Sequence, residues 1–133
     1  MTLAFRVSAA DPATTRTDLL AVPAFAGRAL GPGADAVDDL LGGGLAAFLA
    51  EAGFEGKVGE AVLVPVGDDL AARSALVIGL GEREDITLEV LRRAGALLAK
   101  RANRVTNAAT TLLDAAPDSI DRTDAAQAIA ERS

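Results

Sequence analysis

The stretch SALVIGLG, at residues 74–81, determines more of the fold than any other part of the sequence. It is almost wholly apolar and ends in a Gly-Leu-Gly turn, a pattern typical of a strand buried on both faces of a sheet. A second run of this kind, DLLAVP at residues 18–23, predicts another buried strand, ended by its proline. The run at residues 18–23 fits a strand covered on both faces.

Between these two strands the pattern becomes helical. Glycines and a proline predict a loop over residues 27–33, and a short helix is expected from Ala34. The triple glycine at residues 42–44 interrupts that helix, because three glycines in succession cost about 2–3 kcal/mol inside a helix. A second helix follows and is expected to stop at Gly53.

The clearest helix spans residues 88–103, and Thr87 or Asp85 is expected to cap its N-terminus. A last helix is expected near the end of the chain, capped by Thr123 or Asp124. The long helix has one apolar face, at spacings of three and four, formed by Leu88, Leu91, Gly95, Leu98 and Ala102.

Three further strands complete the predicted sheet, at residues 3–7, 57–66 and 106–113. The second of these carries valines at positions 58, 62, 64 and 66, all on one face. Strands that alternate with helices predict an α/β domain with a parallel or mixed sheet. A chain of 133 residues without an interior boundary predicts one domain, at residues 1–133.

The composition excludes several classes of chemistry. There is no cysteine and no histidine, which excludes disulfides, thiolate nucleophiles, zinc sites with Cys or His ligands, and Ser-His-Asp triads. The formal net charge of -6 and the absence of Trp and Tyr argue against a nucleic-acid partner. Without an apolar run of membrane length or an export signal, the protein is expected to be cytoplasmic and without a membrane partner.

Two glycine motifs have a functional and a structural interpretation. Gly79 and Gly81 follow a buried strand, as in pyrophosphate-binding turns, but Glu84 occupies the third glycine position of G-x-G-x-x-G. We therefore interpret this turn as a tight exit from the strand. The glycines at residues 42–44 are either an anion-binding nest or, in the interpretation we favour, a helix break.

Two charge clusters are interpreted in the same way. Asp35, Asp38 and Asp39 lack the spacing of a calcium loop and are expected to form a solvated helix face. The basic residues of the long helix either contact nucleic acid or an acidic neighbouring subunit, or form a solvated face, which we favour. Those residues are Arg92, Arg93, Lys100, Arg101 and Arg104. We nominate no catalytic, cofactor-binding or metal-binding residue.

The order of the motifs is more specific than any one of them. They are DLLAVP at 18–23, the glycine-broken helix pair at 40–49, GFEGKVGE at 53–60, VIGLG at 77–81 and TLEVLRRAG at 87–95. In this order they resemble the N-terminal domain of the leucyl (cytosol) aminopeptidase family. The final AAQAIAE, at 125–131, is similar to the helix that leads into the catalytic domain of that family.

The resemblance implies a macro-domain-like, three-layer α/β/α sandwich with a central mixed sheet. In that family two catalytic metals, manganese or zinc, belong to a following C-terminal domain, whose segment NTDAEGR does not occur here. The chain is therefore expected to be the non-catalytic N-terminal domain of a two-metal leucyl aminopeptidase, with no cofactor of its own. The implied partners are its own C-terminal catalytic domain, the sister subunits of a homohexamer and, through the parent enzyme, a peptide substrate.

Two alternatives stay open at this point. A stand-alone macro-like module would bind ADP-ribose or a related nucleotide, although the chain has no Tyr or Trp to stack on an adenine. A role in contacting DNA, known for some bacterial members of the family, would use the basic residues between Arg92 and Arg104. We rank the DNA role lowest.

Overall fold

Strands and helices alternate along the chain in the computed structural model, which describes residues 4–6, 15–102 and 107–130. The described strands are β1 Ala4–Arg6, β2 Leu19–Phe25, β3 Ala29–Leu30, β4 Ala61–Pro65, β5 Ser74–Gly79 and β6 Asn107–Thr110. The described helices are α1 Ala34–Leu40, α2 Gly44–Glu51, α3 Leu88–Arg101 and α4 Arg122–Ala130. Single 3₁₀ turns lie at Ala26–Arg28, Arg83–Asp85 and Leu112–Ala115.

The strands form one mixed sheet in the order β1-β6-β2-β5-β4. The pairs β1–β6, β6–β2 and β2–β5 are parallel, whereas β4 runs antiparallel to β5 at one edge. The short β3 pairs antiparallel with the end of β2. The predicted α/β class with a mixed sheet is therefore confirmed.

Alternate side chains of β2 enter two separate hydrophobic cores, because successive residues of a strand point to opposite faces. Leu19 and Phe25 pack in the core that includes α3 and α4. Leu20 and Val22 pack in the core that includes α1 and α2. All seven residues of β2 are buried, as predicted for a strand covered on both faces. The sheet therefore lies between two helical layers, which confirms the expected three-layer sandwich.

The contact between α3 and α4 depends on a glycine. Gly95 lies on the predicted buried face of α3, and a Cβ atom built there would overlap with the main-chain oxygen of Ile129 in α4. The helices pack backbone against backbone at this point. At the start of α3, Thr87 Oγ1 accepts a hydrogen bond from Val90 N at 3.3 Å, which confirms Thr87 as the cap.

Two boundaries around β2 differ from the prediction. The strand continues through Pro23 to Phe25, because the pairing with β6 covers only Leu19–Ala21 and requires no amide hydrogen at the proline. The main-chain oxygen of Pro23 accepts a hydrogen bond from Gly31 N at 3.0 Å. The predicted loop at 27–33 therefore contains the short strand β3, which completes the ladder where β6 ends.

The strand predicted at 57–66 is shorter in the structure and begins at Ala61. Lys57 and Glu60 close a turn before it, in which Glu60 N donates to Lys57 O at 3.1 Å, so Val58 is not in the strand. Val62 and Val64 keep the predicted common face.

The strand predicted at 106–113 and the last helix also differ in extent from the prediction. The strand expected at 106–113 ends at Thr110 and continues as a 3₁₀ turn. The last helix is capped by Asp121, whose Oδ1 accepts from Thr123 N at 2.8 Å, and not by Thr123 or Asp124. Of the strand expected at 3–7, Leu3 and Val7 lie outside the described residues.

In the described part of the chain, no helix has the length and apolar character needed to cross a membrane.

Candidate functional site at the carboxyl end of the sheet

Ligands of open α/β folds bind at the carboxyl ends of parallel strands, where the chain leaves neighbouring strands toward opposite faces. In this molecule β2 is followed by α1 and α2 on one face, and its neighbour β5 is followed by α3 on the other. The crevice between the ends of β2 and β5 is therefore the place where a ligand site is expected.

The segment at residues 54–60, which we name the edge loop, occupies this crevice. Its main chain hydrogen-bonds to the ends of both strands, since Gly27 N donates to Glu55 O at 3.0 Å and Gly81 N donates to Gly56 O at 2.8 Å. The two strand ends are also joined directly by a hydrogen bond from Ala26 N to Gly81 O at 2.9 Å. The crevice is thus filled by backbone of the same chain.

The edge loop approaches the strands more closely than a side chain would permit. A Cβ atom built on Gly56 would overlap with the main-chain oxygen of Phe25, and one built on Gly79 would overlap with that of Lys57. Gly56 also has a φ of +86°, a conformation that side chains rarely adopt. These two glycines of the GFEGKVGE and VIGLG motifs are therefore explained by packing.

The carboxylate of Glu60 holds the edge loop in shape. Its Oε1 accepts hydrogen bonds from Lys57 N at 2.8 Å and from Glu55 N at 3.1 Å. The hydrogen bond from the Lys57 amide is the largest of the effects that lower the pKa of Glu60, because it stabilises the ionised form. The ionised side chain of Glu60, the last residue of the GFEGKVGE motif, thus stabilises the conformation of the edge loop.

The Gly79-Leu80-Gly81 turn has no free amide to offer a phosphate. Gly79 N donates to Glu60 O at 2.8 Å, Leu80 N to Ala24 O at 2.9 Å, and Gly81 N to Gly56 O at 2.8 Å. A phosphate cradle needs amide groups that point at the ligand. The interpretation of this turn as a tight strand exit is confirmed.

The triple glycine is also committed to internal hydrogen bonds. Gly42 N, Gly43 N and Gly44 N donate to the main-chain oxygens of Asp39, Asp38 and Leu41, respectively, which ends α1. The carboxylate of Asp38 in turn accepts from Ala46 N at 3.1 Å, in the first turn of α2. The favoured interpretation of these glycines as a helix break is confirmed.

A second crevice, between the ends of β2 and β6, is narrowed by Thr111. Its Oγ1 donates to Pro32 O at 2.6 Å, and a Cβ atom on Gly33 would overlap with its side chain. The remaining depression measures about 260 Å³. On its wall the Arg83 guanidinium lies 4.1 Å from the centre of the Phe25 ring.

The described members of the two predicted charge clusters lie in α1 and α3. Within residues 4–6, 15–102 and 107–130, no group of three acidic side chains is arranged to hold a metal ion, and this includes Asp35, Asp38 and Asp39. In α3, Arg92 and Arg93 contact Glu89 at 2.9 and 3.5 Å. Arg104 lies outside the described residues, so the DNA-contact hypothesis stays a prediction.

Sequence reasoning missed two polar groups at these crevices, Glu60, which holds the edge loop, and Thr111, which narrows the second crevice. The signal for Glu60 is local, since a glutamate three residues after Lys57 in a glycine-rich turn can accept the amides that the turn leaves free. Thr111 has no local signal, because its partner Pro32 lies 79 residues away in the chain.

Comparison with protein families gives a match over most of the chain. The model of the cytosol aminopeptidase family, N-terminal domain, matches residues 21–133. A probable cytosol aminopeptidase of Thermosynechococcus vestitus is 41% identical over 96 residues, which are 71% of this chain and 19% of that protein. One of Streptomyces griseus subsp. griseus is 38% identical over 104 residues, or 73% of this chain and 20% of that protein. The chain thus spans about a fifth of the length of these relatives.

Two solved structures share the fold. A tomato leucine aminopeptidase mutant superposes with a TM-score of 0.69 at 22% identity, over 97% of this chain and 26% of that one. The macrodomain of Mycobacterium tuberculosis DarG also gives a TM-score of 0.69, at 13% identity, over 95% of this chain and 87% of that one. At identities this low the likeness shows the fold alone, and it confirms the predicted macro-domain-like sandwich.

Proposed function

This chain belongs to the cytosol aminopeptidase family through that family's N-terminal domain, and we propose that it is the non-catalytic domain of a two-metal leucyl aminopeptidase. The observation that carries the proposal is the match over residues 21–133 in a chain that covers about a fifth of its relatives. The parent enzyme would release N-terminal amino acids from peptides in the cytoplasm. Its catalytic residues would lie in a C-terminal domain outside these 133 residues.

The closed carboxyl edge supports a structural role for this domain. The edge loop fills the β2–β5 crevice and Thr111 narrows the β2–β6 crevice, which are the two places where this fold would hold a ligand. We therefore assign the domain to assembly of a homohexamer and to shaping access to the active site of the parent enzyme. Residues 1–133 form this one domain in the proposal.

The metals of the parent enzyme, manganese or zinc, are proposed for the catalytic domain alone. There they would polarise the scissile carbonyl group and activate a water molecule. Without His or Cys, carboxylate oxygens would have to hold the metals, and the described residues bring no three of them together in an arrangement that could bind an ion. A related fold, the bottromycin maturation enzyme BotP, has been solved in complex with Mn. No step of peptide hydrolysis is assigned to a residue of this chain.

A peptidase assay tests the division of labour. The purified 133-residue chain, incubated with leucine amide and either Mn²⁺ or Zn²⁺, is expected to hydrolyse no more than buffer does. The cytosol aminopeptidase of Pseudomonas aeruginosa serves as the positive control in the same buffer. Metal-dependent turnover by the 133-residue chain that EDTA abolishes would contradict the proposal.

A chimera tests the assembly role. Residues 21–133 replace the matching segment of the Thermosynechococcus vestitus relative, and a second protein lacks that segment altogether. We expect the chimera to sediment as a hexamer and the deletion to form smaller species. Equal assembly of both proteins would show that the domain is not needed for the oligomer.

A second candidate function, binding of ADP-ribose or a related nucleotide, is favoured by one observation, the likeness to a macrodomain. The paired amides of Gly79, Leu80 and Gly81 oppose it, because they leave no donor for a pyrophosphate at the β2–β5 crevice. Isothermal titration calorimetry with millimolar ADP-ribose is expected to give no heat of binding. Nucleic acid and membranes are not proposed as partners.

A further inference from the structure

The edge strand β4 presents an apolar side chain and free main-chain groups on the side away from β5. Within the part of the chain that the structure describes, β4 pairs only with β5. Leu63, at the centre of β4, is 49% exposed, the larger of the two exposures found for big apolar residues in the described chain. Its register partner Leu76 is fully buried. The apolar face of the sheet thus continues from the buried strand β5 to the exposed edge strand β4.

The hydrogen-bond pattern shows which main-chain groups of β4 point outward. Gly79 N donates to Glu60 O at 2.8 Å, so Glu60 faces β5, and so do the residues two and four positions later. Leu80 N donates to Ala24 O of β2, so Leu80 faces β2 while its neighbour Gly79 faces β4, in agreement with this alternation. The groups that point away from the sheet therefore belong to Ala61, Leu63 and Pro65.

These outward groups are complementary to themselves. Ala61 and Leu63 each offer an N–H and a C=O, whereas Pro65 offers only a C=O. In an antiparallel pair of two copies centred on Leu63, each Leu63 N–H meets the other copy's Leu63 oxygen, and each Ala61 N–H meets the other copy's Pro65 oxygen. The outward N–H groups of Ala61 and Leu63 are then all hydrogen-bonded. Pro65, which has no N–H, contributes only its C=O.

The helix beside this edge provides further apolar surface. Helix α4 packs against α3 at Gly95, and α4 also contacts the 3₁₀ turn that follows β6, so the opposite flank of α3 lies toward β4. At 100° per residue, Val90 and Leu97 lie on that flank, and both are only partly buried. Leu63, Val90 and Leu97 thus all belong to the α3–α4 face of the sheet.

We propose that β4 pairs with β4 of a second copy of this chain, in antiparallel register about Leu63, to join two sheets into one. The two Leu63 side chains then lie opposite each other, with Val90 and Leu97 of both copies along the sides. Five residues bury less area than a stable dimer needs, so the isolated chain pairs weakly and the contact gains strength inside a larger oligomer. This inference rests on the assembly role proposed above and identifies its surface.

Cysteine cross-linking tests the pairing, because the native chain has no cysteine. Opposed residues of such a pair have Cα atoms about 5.5 Å apart, which is within the range that a disulfide spans. Leu63→Cys is expected to form covalent dimers about tenfold faster than Leu40→Cys under mild oxidation. Leu40, in α1, is the matched control because it is the other large apolar residue with an exposed side chain among the residues whose burial is described, at 37%.

The register is tested with two more variants. A mixture of Ala61→Cys and Pro65→Cys chains is expected to cross-link, whereas Ala61→Cys alone is not, because its two copies lie four residues apart, about 14 Å. Equal rates at Leu63 and Leu40, or cross-linking of Ala61→Cys alone as fast as the mixture, overturns the proposal. None of these readouts uses peptidase activity, so a failure here is distinct from a failure of the peptidase assignment.

Discussion

Glycine serves opposite purposes on the two faces of the sheet. On the α3–α4 face, Gly95 has ordinary helical backbone and is required because α4 lies where its side chain would be. On the α1–α2 face, Gly42 and Gly43 have φ values of +66° and +84° with no atom within 4 Å of a built Cβ. The first glycine fixes the distance between two helices, and the others fix only the path of the chain. The same residue type in a family motif can therefore have either meaning.

The edge loop combines both requirements at Gly56, which makes it the most sensitive position. Gly56→Ala is expected to destabilise the fold by about 4 kcal/mol, because backbone strain at positive φ adds to overlap with Phe25 O. Urea denaturation followed by circular dichroism measures the loss. The control is Gly59→Ala, where φ is +93° but the space is open, and about 1 kcal/mol is expected. Equal losses at both positions would show that close packing is not what selects Gly56.

The same exchange is expected to have opposite signs at two helical glycines. Gly95→Ala should cost about 2–3 kcal/mol, because α4 must move away from α3. Gly44→Ala, at the first residue of α2, should be neutral or stabilise by up to about 1 kcal/mol, since its nearest neighbour is 4.0 Å away. Thermal unfolding of the two variants beside the parent chain decides the point. A gain in melting temperature for Gly95→Ala would contradict the described helix contact.

The role of Glu60 in holding the edge loop can be tested through the pH dependence of the unfolding free energy. Its pKa in the folded chain is lowered from 4.5, mainly by the hydrogen bond from Lys57 N, so the ionised carboxylate stabilises the fold above about pH 4.5. That contribution is lost as the pH falls through the lowered pKa of the folded state. Glu60→Gln is therefore expected to be less stable than the parent chain at pH 7, and the difference in unfolding free energy should shrink by pH 3.

The matched control for that experiment is Glu55→Gln. The Glu55 side chain is 58% exposed and pairs with Lys57 Nζ at 3.2 Å on the surface, where an ion pair contributes little. The unfolding free energy of this variant should follow that of the parent chain at every pH. If Glu60→Gln matched the parent as closely as Glu55→Gln does, the carboxylate would not be holding the loop.

The smallest expected effect belongs to the triple glycine. Gly43→Ala should cost about 1 kcal/mol, from the left-handed backbone alone, and Gly43→Asn should recover part of the loss. For a domain of this size the alanine variant should melt a few degrees lower, which differential scanning calorimetry resolves. A loss at Gly43 as large as that at Gly95 would remove the distinction between the two faces.

The parts of the fold that the sequence predicted are those with a local or periodic signal. The unbroken apolar runs of β2 and β5 and the face of α3 with its Thr87 cap are decided within a few residues. The end of β2 could not be placed, because Pro23 is tolerated only where β6 stops pairing. That boundary depends on a strand about 85 residues later in the chain.

The sequence predicted that the turn at Gly79-Leu80-Gly81 is a tight strand exit, but it did not predict that the edge loop pairs with this turn. The sequence argument against a phosphate site was Glu84 at the third glycine position of G-x-G-x-x-G. The physical reason in the structure is a different one, namely that the edge loop already uses the amides of the turn. The backbone pairing between residues 54–60 and the ends of two strands requires only that certain positions be glycine. Because glycine occurs in turns and loops for many other reasons, this pairing could not be predicted from the sequence.

The central claim is that the chain fills its own β2–β5 crevice and leaves no ligand site there. An NMR titration that follows the backbone amides of Gly79, Leu80 and Gly81 during addition of ADP-ribose to millimolar concentration tests it most directly. These three amides are expected to keep their chemical shifts. Saturable shifts at these amides would contradict it, since they would show that the edge loop yields the crevice to a nucleotide.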